Sequence, residues 1–169
     1  MLFRSAGMFG ATEGEQVVTK YTNGGSNTQS SLNSGTYWHI MSIQNPYVSN
    51  LDYKLNFRSI EFLDMVVSAQ GADPVQLFIY LDQPKAAGYH YQFTSYPDKI
   101  YQADITDGVF DVTGDTPIIS FVVGINGTLQ FDLRDYQAIC PPGSVMSLVA
   151  YSTQSINKIT ISGVWRTLG

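Results

Sequence analysis

The chain has 169 residues, the length of one domain able to bury a core without disulfide or metal staples. Its charged content of 14% lies well under the usual share of about 25%, and a net charge of −5 excludes the basic footprint of sequence-independent nucleic-acid binding. A single cysteine, Cys140, excludes an intrachain disulfide.

No stretch of about 20 apolar residues runs through the chain, so no membrane-spanning helix is expected. The first ten residues, Met1 to Gly10, lack the apolar core of a signal peptide. Residues 1–35 read as an extended polar arm. Gly24-Gly25-Ser26-Asn27 and Asn33-Ser34-Gly35 are turn-rich, and the tract between them is almost wholly Ser, Thr, Asn and Gln. Within it, residues 16–21 have the composition of one short strand. Leu2, Phe3, Met8 and Phe9 are costly to leave in water, so they are expected to dock on a neighbouring subunit.

Residues 36–169 read as the folded domain. Residues 36–44 form a strand stopped by Asn45-Pro46. Residues 55–69 are too long for one straight strand. Their alternation changes parity before Ile60 and Phe62 and again at Leu63, Met65 and Val67, the mark of a β-bulge or a bend. An amphipathic helix fits Ile60, Leu63 and Val67, but the β-branched and aromatic content favours a strand.

Residues 75–81 alternate Val75, Leu77, Ile79 and Leu81 against Gln76, Phe78, Tyr80 and Asp82. Residues 85–99 form an aromatic-rich connection. Residues 101–112 read as a hairpin around Asp107-Gly108, and residues 117–134 as a second hairpin around Asn126-Gly127. In the latter, a three-residue loop would pair Val123 with Leu129, Phe121 with Phe131 and Ile119 with Leu133, joining apolar faces. Residues 145–152 and 158–166 are the last strands, with Ile159, Ile161, Gly163 and Trp165 on one face.

Eight or nine antiparallel strands without a convincing helix call for a β-sandwich, with a jelly roll as the expected topology and an immunoglobulin-like sandwich as the alternative. The C-terminal third carries Cys140-Pro141-Pro142-Gly143-Ser144-Val145, then a strand ending Ala150-Tyr151-Ser152, then a last strand closing on Trp165-Arg166. This stretch resembles the closing strands of small jelly-roll virion proteins of tailed phages, among them decoration, fibre and receptor-binding modules. The resemblance implies a structural or binding role in a virion, and it transfers no functional residues.

Chemistry-bearing motifs are scarce. His39 and His90 are the only histidines, and no nucleophile elbow, phosphate loop, dinucleotide fingerprint or zinc spacing occurs, so neither enzymatic activity nor a cofactor is expected. His39 reads as a structural or surface histidine and Cys140 as a small buried hydrophobe. The 101–112 hairpin would set Asp104 opposite Asp111. A hard cation such as Ca²⁺ would relieve that repulsion, and so would solvent; the solvated edge is the expectation.

Tyr89, Tyr91 and Tyr96, on one loop bracketed by Gly88 and Pro97, are expected to form a contact surface for a partner, whether protein or glycan. The leading function is therefore a virion subunit that binds other virion proteins and copies of itself, with a trimer favoured. A carbohydrate- or receptor-binding module using those tyrosines on a host glycan is the alternative.

Overall fold

The computed structural model describes residues 22–168. Eight longer strands carry the architecture: β1 (Thr22–Leu32), β2 (Trp38–Gln44), β3 (Ser59–Gly71), β4 (Val75–Leu81), β7 (Ile119–Val123), β8 (Thr128–Asp132), β10 (Val145–Tyr151) and β11 (Ile156–Leu168). Three short ones, β5 (Thr94–Ser95), β6 (Gln102–Asp104) and β9 (Ile139–Cys140), add to their edges. One sheet runs β1-β11-β3-β8, with β9 on β3, and the other runs β5-β6-β2-β10-β4-β7.

Numbered by the longer strands alone, the sheets read first-eighth-third-sixth and second-seventh-fourth-fifth. That antiparallel order is the jelly roll. Among the described residues no helix is long and apolar enough to cross a membrane.

The inner faces close on one core. Ile60, Phe62, Met65 and Val67 of β3 and Ile159, Ile161 and Trp165 of β11 face Ile40, Met41 and Ile43 of β2, Met146 and Leu148 of β10, and Leu77 and Ile79 of β4. Burying each such side chain is worth about 1.5–3 kcal/mol. Two of the register shifts have a role in aiming side chains. In β3 the pairing shifts between Phe62 and Asp64, opposite Trp165 and Val164, where the sequence changes parity. In β2 it shifts at Ile40, so Ile40 and Met41 both enter the core while His39 and Ser42 turn to the outer face.

Three expectations are corrected. The arm does not extend to residue 35: Thr22 to Leu32 is β1, paired with β11 from Thr22↔Arg166 to Leu32↔Ile156. Gly24-Gly25 is strand rather than turn, because a side chain at Gly25 would meet the Trp165 indole at 2.9 Å. The expected contacts of Leu2, Phe3, Met8 and Phe9, and the short strand at 16–21, lie outside the described residues.

The Asn126-Gly127 turn exists, with Gly127 N–H donating to the Gly124 carbonyl at 3.0 Å and Asn126 at φ 49°. It joins two sheets rather than two neighbours, since β7 pairs with β4 and β8 with β3. Phe121 and Phe131 do meet, with ring centroids 3.9 Å apart, but as side chains and not across a ladder.

The 101–112 hairpin does not form. β6 pairs with β2 and β5, Val109 bridges to Trp38, and Phe110 bridges to Lys85. Gly108 leaves room for the Lys85 stem, whose Cδ would lie 2.8 Å from an added Cβ.

Candidate interaction surface

Residues 45–58, between β2 and β3, form a projection clamped at its base by two buried asparagines. Pro46 ends β2 because it has no N–H for the ladder. Asn45 Nδ2 donates to the carbonyls of Arg58 at 2.9 Å and Cys140 at 3.0 Å, and its Oδ1 accepts from Asn56 Nδ2 at 2.6 Å. Asn56 also donates to the Pro46 carbonyl and accepts from Arg58 N–H, each at 2.9 Å.

Above the clamp the chain folds back on itself. Asn56 N–H donates to the Tyr47 carbonyl, Val48 bridges Leu55, Ser49 N–H donates to the Lys54 carbonyl and Tyr53 N–H to the Ser49 carbonyl. The Asn50 amide ties the tip to the Tyr101 carbonyl at 3.1 Å. Tyr53 sits at φ 56°, a left-handed conformation held by these bonds.

This ordered backbone presents large apolar side chains to water: Phe57 is 84% exposed, Tyr53 72% and Leu55 69%, with Tyr47 beside them in sequence and also exposed. Single exposed hydrophobes are ordinary on a protein surface. Several on one hydrogen-bonded projection mark a contact site, because aromatic anchors on rigid backbone lose little entropy on binding. Beside its tip an open cleft of about 400 Å³ is lined by Leu51, Asp52, Asp98, Lys99 and Ile100 together with Asn23 and Thr167. Leu55 and Phe57 keep the alternation of the strand expected over residues 55–69, but β3 opens only at Ser59 and both side chains face water, because nothing in the alternation itself tells a buried face from an exposed one.

The tyrosine-rich loop is organised differently. Tyr91 packs inward, stacked on Phe93 with centroids 5.0 Å apart and lying beneath the Lys85 ammonium at 5.3 Å. Its hydroxyl donates to the Gln83 carbonyl at 2.5 Å and meets Ser147 Oγ at 2.9 Å. Tyr89 and Tyr96 are partly exposed, and Tyr96 leans on Tyr101 at 5.8 Å. The segment thus covers the outer face of the six-stranded sheet, where Tyr80, Phe110 and Val149 form a second apolar cluster with Tyr37, Phe78 and Tyr91.

Beneath that cover lies a polar layer. Asp104 and Asp111 do not face each other: Asp104 pairs with Ser42 and is fully buried, while Asp111 is exposed and accepts from Thr113 N–H at 3.2 Å. The expected solvated edge is therefore replaced by an internal ion pair. Lys85 Nζ lies 3.0 Å from Asp104 Oδ2. Thr106 donates to Asp104 Oδ1 through its N–H at 2.8 Å and its hydroxyl at 2.6 Å, and Gln92 N–H donates to Oδ2 at 3.0 Å.

Burial pushes the Asp104 carboxyl upward, but the bonds from Thr106, Gln92 and Lys85 outweigh it and hold the group below its ordinary value. With its oxygens so occupied, Asp104 has no need of a cation. Among the described residues no three His, Cys, Asp or Glu side chains converge to hold one.

His39 Nδ1 lies 2.7 Å from the Thr106 carbonyl and must carry the proton there, leaving Nε2 to accept from Ser42 Oγ at 2.8 Å. A base beside a serine has the spacing of a nucleophile pair, but His39 is backed by a carbonyl and not a carboxylate, and both side chains are fully buried. Burial pushes the imidazole down to about 4 and the Cys140 thiol up to about 12. Both side chains are withdrawn from solvent.

These features define a jelly-roll domain with a closed polar layer under one sheet and a pinned apolar projection at one end. No protein-family model and no curated protein matches the sequence. Among solved structures, the chain is similar to a subunit from a study titled "Bacillus endospore appendages form a novel family of disulfide-linked pili", at 8% identity over 88% of each chain with a TM-score of 0.40.

It is also similar to a chain of deformed wing virus, a honeybee pathogen, at 10% identity over 90% of this chain and 47% of that one, with a TM-score of 0.38. A family 11 carbohydrate-binding module from Clostridium thermocellum, in complex with a β-1,3-1,4-mixed-linked tetrasaccharide, matches at 8% identity over 86% and 85% of the two chains, with a TM-score of 0.30. None of these three is a tailed-phage module. Likenesses this distant carry no argument about function, and the topology rests on the strand order itself.

Proposed function

We propose that the protein is a structural subunit of a virion, a jelly-roll domain that attaches to a capsid or tail and to copies of itself, in a decoration, cement or spike role and without enzymatic activity. The observation that carries this reading is the apolar projection of Tyr53, Leu55 and Phe57, held by the Asn45–Asn56 clamp and exposed among the described residues. Low surface charge supports it, because few like charges stand between copies.

Sedimentation of the purified protein tests it, with a trimer as the expected state. The wild type should assemble with concentration, and Tyr53→Ser, Leu55→Ser and Phe57→Ser together should return it to monomer with unchanged melting. A wild type that stays monomeric at all concentrations, and is absent from purified particles, overturns the reading. The second reading, a glycan-binding module, draws on the uncovered rings of Tyr89 and Tyr96. A glycan array on which Tyr89→Ser and Tyr96→Ser abolish binding by the monomer would favour it.

A further inference from the structure

The described chain starts beside the tip of the projection. β1 opens at Thr22 opposite Arg166, and the next residue, Asn23, lines the cleft that also contains Leu51, Asp52 and Ile100. Residues 1–21 precede that point, and most of their large apolar residues lie at the far end: Leu2, Phe3, Met8 and Phe9, followed by Gly10, Glu13, Gly14 and Glu15. We propose that residues 2–9 of one copy cover Tyr53, Leu55 and Phe57 of a second copy. The inference rests on the reading of the protein as a self-assembling subunit and names the contact that assembles it.

Reach allows the covered projection to belong to a second copy. Phe9 stands 13 residues before Thr22, and at about 3.4 Å per extended residue that tether spans up to about 45 Å. A compact domain of this length has a radius of gyration of only about 15 Å. The tether is long enough to reach a neighbouring copy, and the self-assembly reading selects that copy.

Composition fits as well. Leu, Phe and Met against Tyr, Leu and Phe make the apolar, aromatic-rich centre typical of interfaces. Within residues 1–21, Arg4 and Lys20 balance Glu13 and Glu15, so no net charge opposes approach to Asp52, Lys54 and Arg58. Because the backbone of the projection is already hydrogen-bonded, docking costs it little further ordering.

Disulfide trapping in the full-length chain tests the contact. Cys140, the only native cysteine, is buried and its thiol is raised to about 12, which keeps it out of the reaction. Phe9→Cys and Leu55→Cys are made in separate preparations, mixed under assembling conditions and oxidised. A cross-link between the two different copies, in excess of either self-link, is expected.

In parallel, Leu2→Ser, Phe3→Ser, Met8→Ser and Phe9→Ser together should raise the concentration needed for assembly at least about tenfold, as loss of interface anchors does. Three outcomes overturn the inference. One is a doubly substituted chain that links only within itself. The others are assembly that the projection variant abolishes while the arm variant leaves it unchanged, and assembly with no cross-link. In these cases the wild type still assembles, so the reading of the protein as a subunit survives; a wild type that never assembles overturns both.

Discussion

Lys85 Nζ sits 3.0 Å from the Asp104 carboxylate, and both side chains are almost wholly withdrawn from solvent, at 1% and 0% exposure. The pair ties the connection between β4 and β5 to β6 and the turn after it, since Lys85 also donates to the His90 and Asp107 carbonyls and to Thr106 Oγ1. Removing one partner of a buried pair strands the other charge at a cost of about 3–5 kcal/mol. Lys85→Met is expected to destabilise the domain by about that much, whereas Lys85→Met with Asp104→Asn should cost less than the single change. Urea unfolding of the two variants checks this; a single variant within 1 kcal/mol of wild type, by order of magnitude, would show the pair to be incidental.

Acid should act through His39. A line of contacts runs from the Thr106 carbonyl through His39, Ser42, Ser147 and Tyr91 to the Gln83 carbonyl. Acceptors stand at both ends, so a neutral imidazole leaves the line one proton short, and protonation would complete it. Burial nevertheless dominates, and together with the Lys85 charge it outweighs the Thr106 bond and the nearby carboxylates Asp104 and Asp107, lowering the group to about 4.

The unfolded chain therefore takes up this proton first. The stabilisation is fully present above the unfolded value of about 6.5 and is lost as pH falls through about 4, amounting to about 3 kcal/mol. The stability difference between wild type and His39→Asn should shrink steadily from pH 7 to pH 4. A difference that is flat over that range would mean that the imidazole is not desolvated.

Truncation separates the arm from β1. Deleting residues 1–21 should leave the melting temperature nearly unchanged. Deleting residues 1–32 should abolish folding, because it exposes the whole edge of β11 and uncovers Trp165, Ile161 and Ile159. Circular dichroism melting of both truncated chains distinguishes these outcomes, and a folded 33–169 chain would refute the place of β1 in the core sheet.

Asn56→Ala should loosen the projection without unfolding the sandwich. It removes the donor to Asn45 Oδ1 and to the Pro46 carbonyl, with an expected cost of about 1–3 kcal/mol for the stranded groups. Amide exchange should quicken at residues 48–55 and stay slow in β3 and β10, and assembly should weaken although no exposed anchor has changed.

The sequence by itself determined which residues face inward wherever alternation was strong. Ile159, Ile161, Gly163 and Trp165 share the inner face of β11, and the parity slip after Phe62 marks a real bulge, because side-chain direction is a property of each strand alone. Pairing is not. β7 and β8 each carry an apolar face and meet at an Asn-Gly turn, yet each finds its ladder partner elsewhere, in β4 and β3. Turn chemistry fixes a local change of direction but does not choose the sheet.

The polar strand β1 was unreadable for a related reason. Its inward positions hold Gly25 beneath an indole and Asn27 donating to the Ile40 and Ile105 carbonyls, so they show no hydrophobic period. Asp104 shows the same limit for charge. Its environment is set by Lys85, brought from 19 residues upstream when the connection folds back over the sheet, and only tertiary packing decides whether a carboxylate meets water or an ammonium.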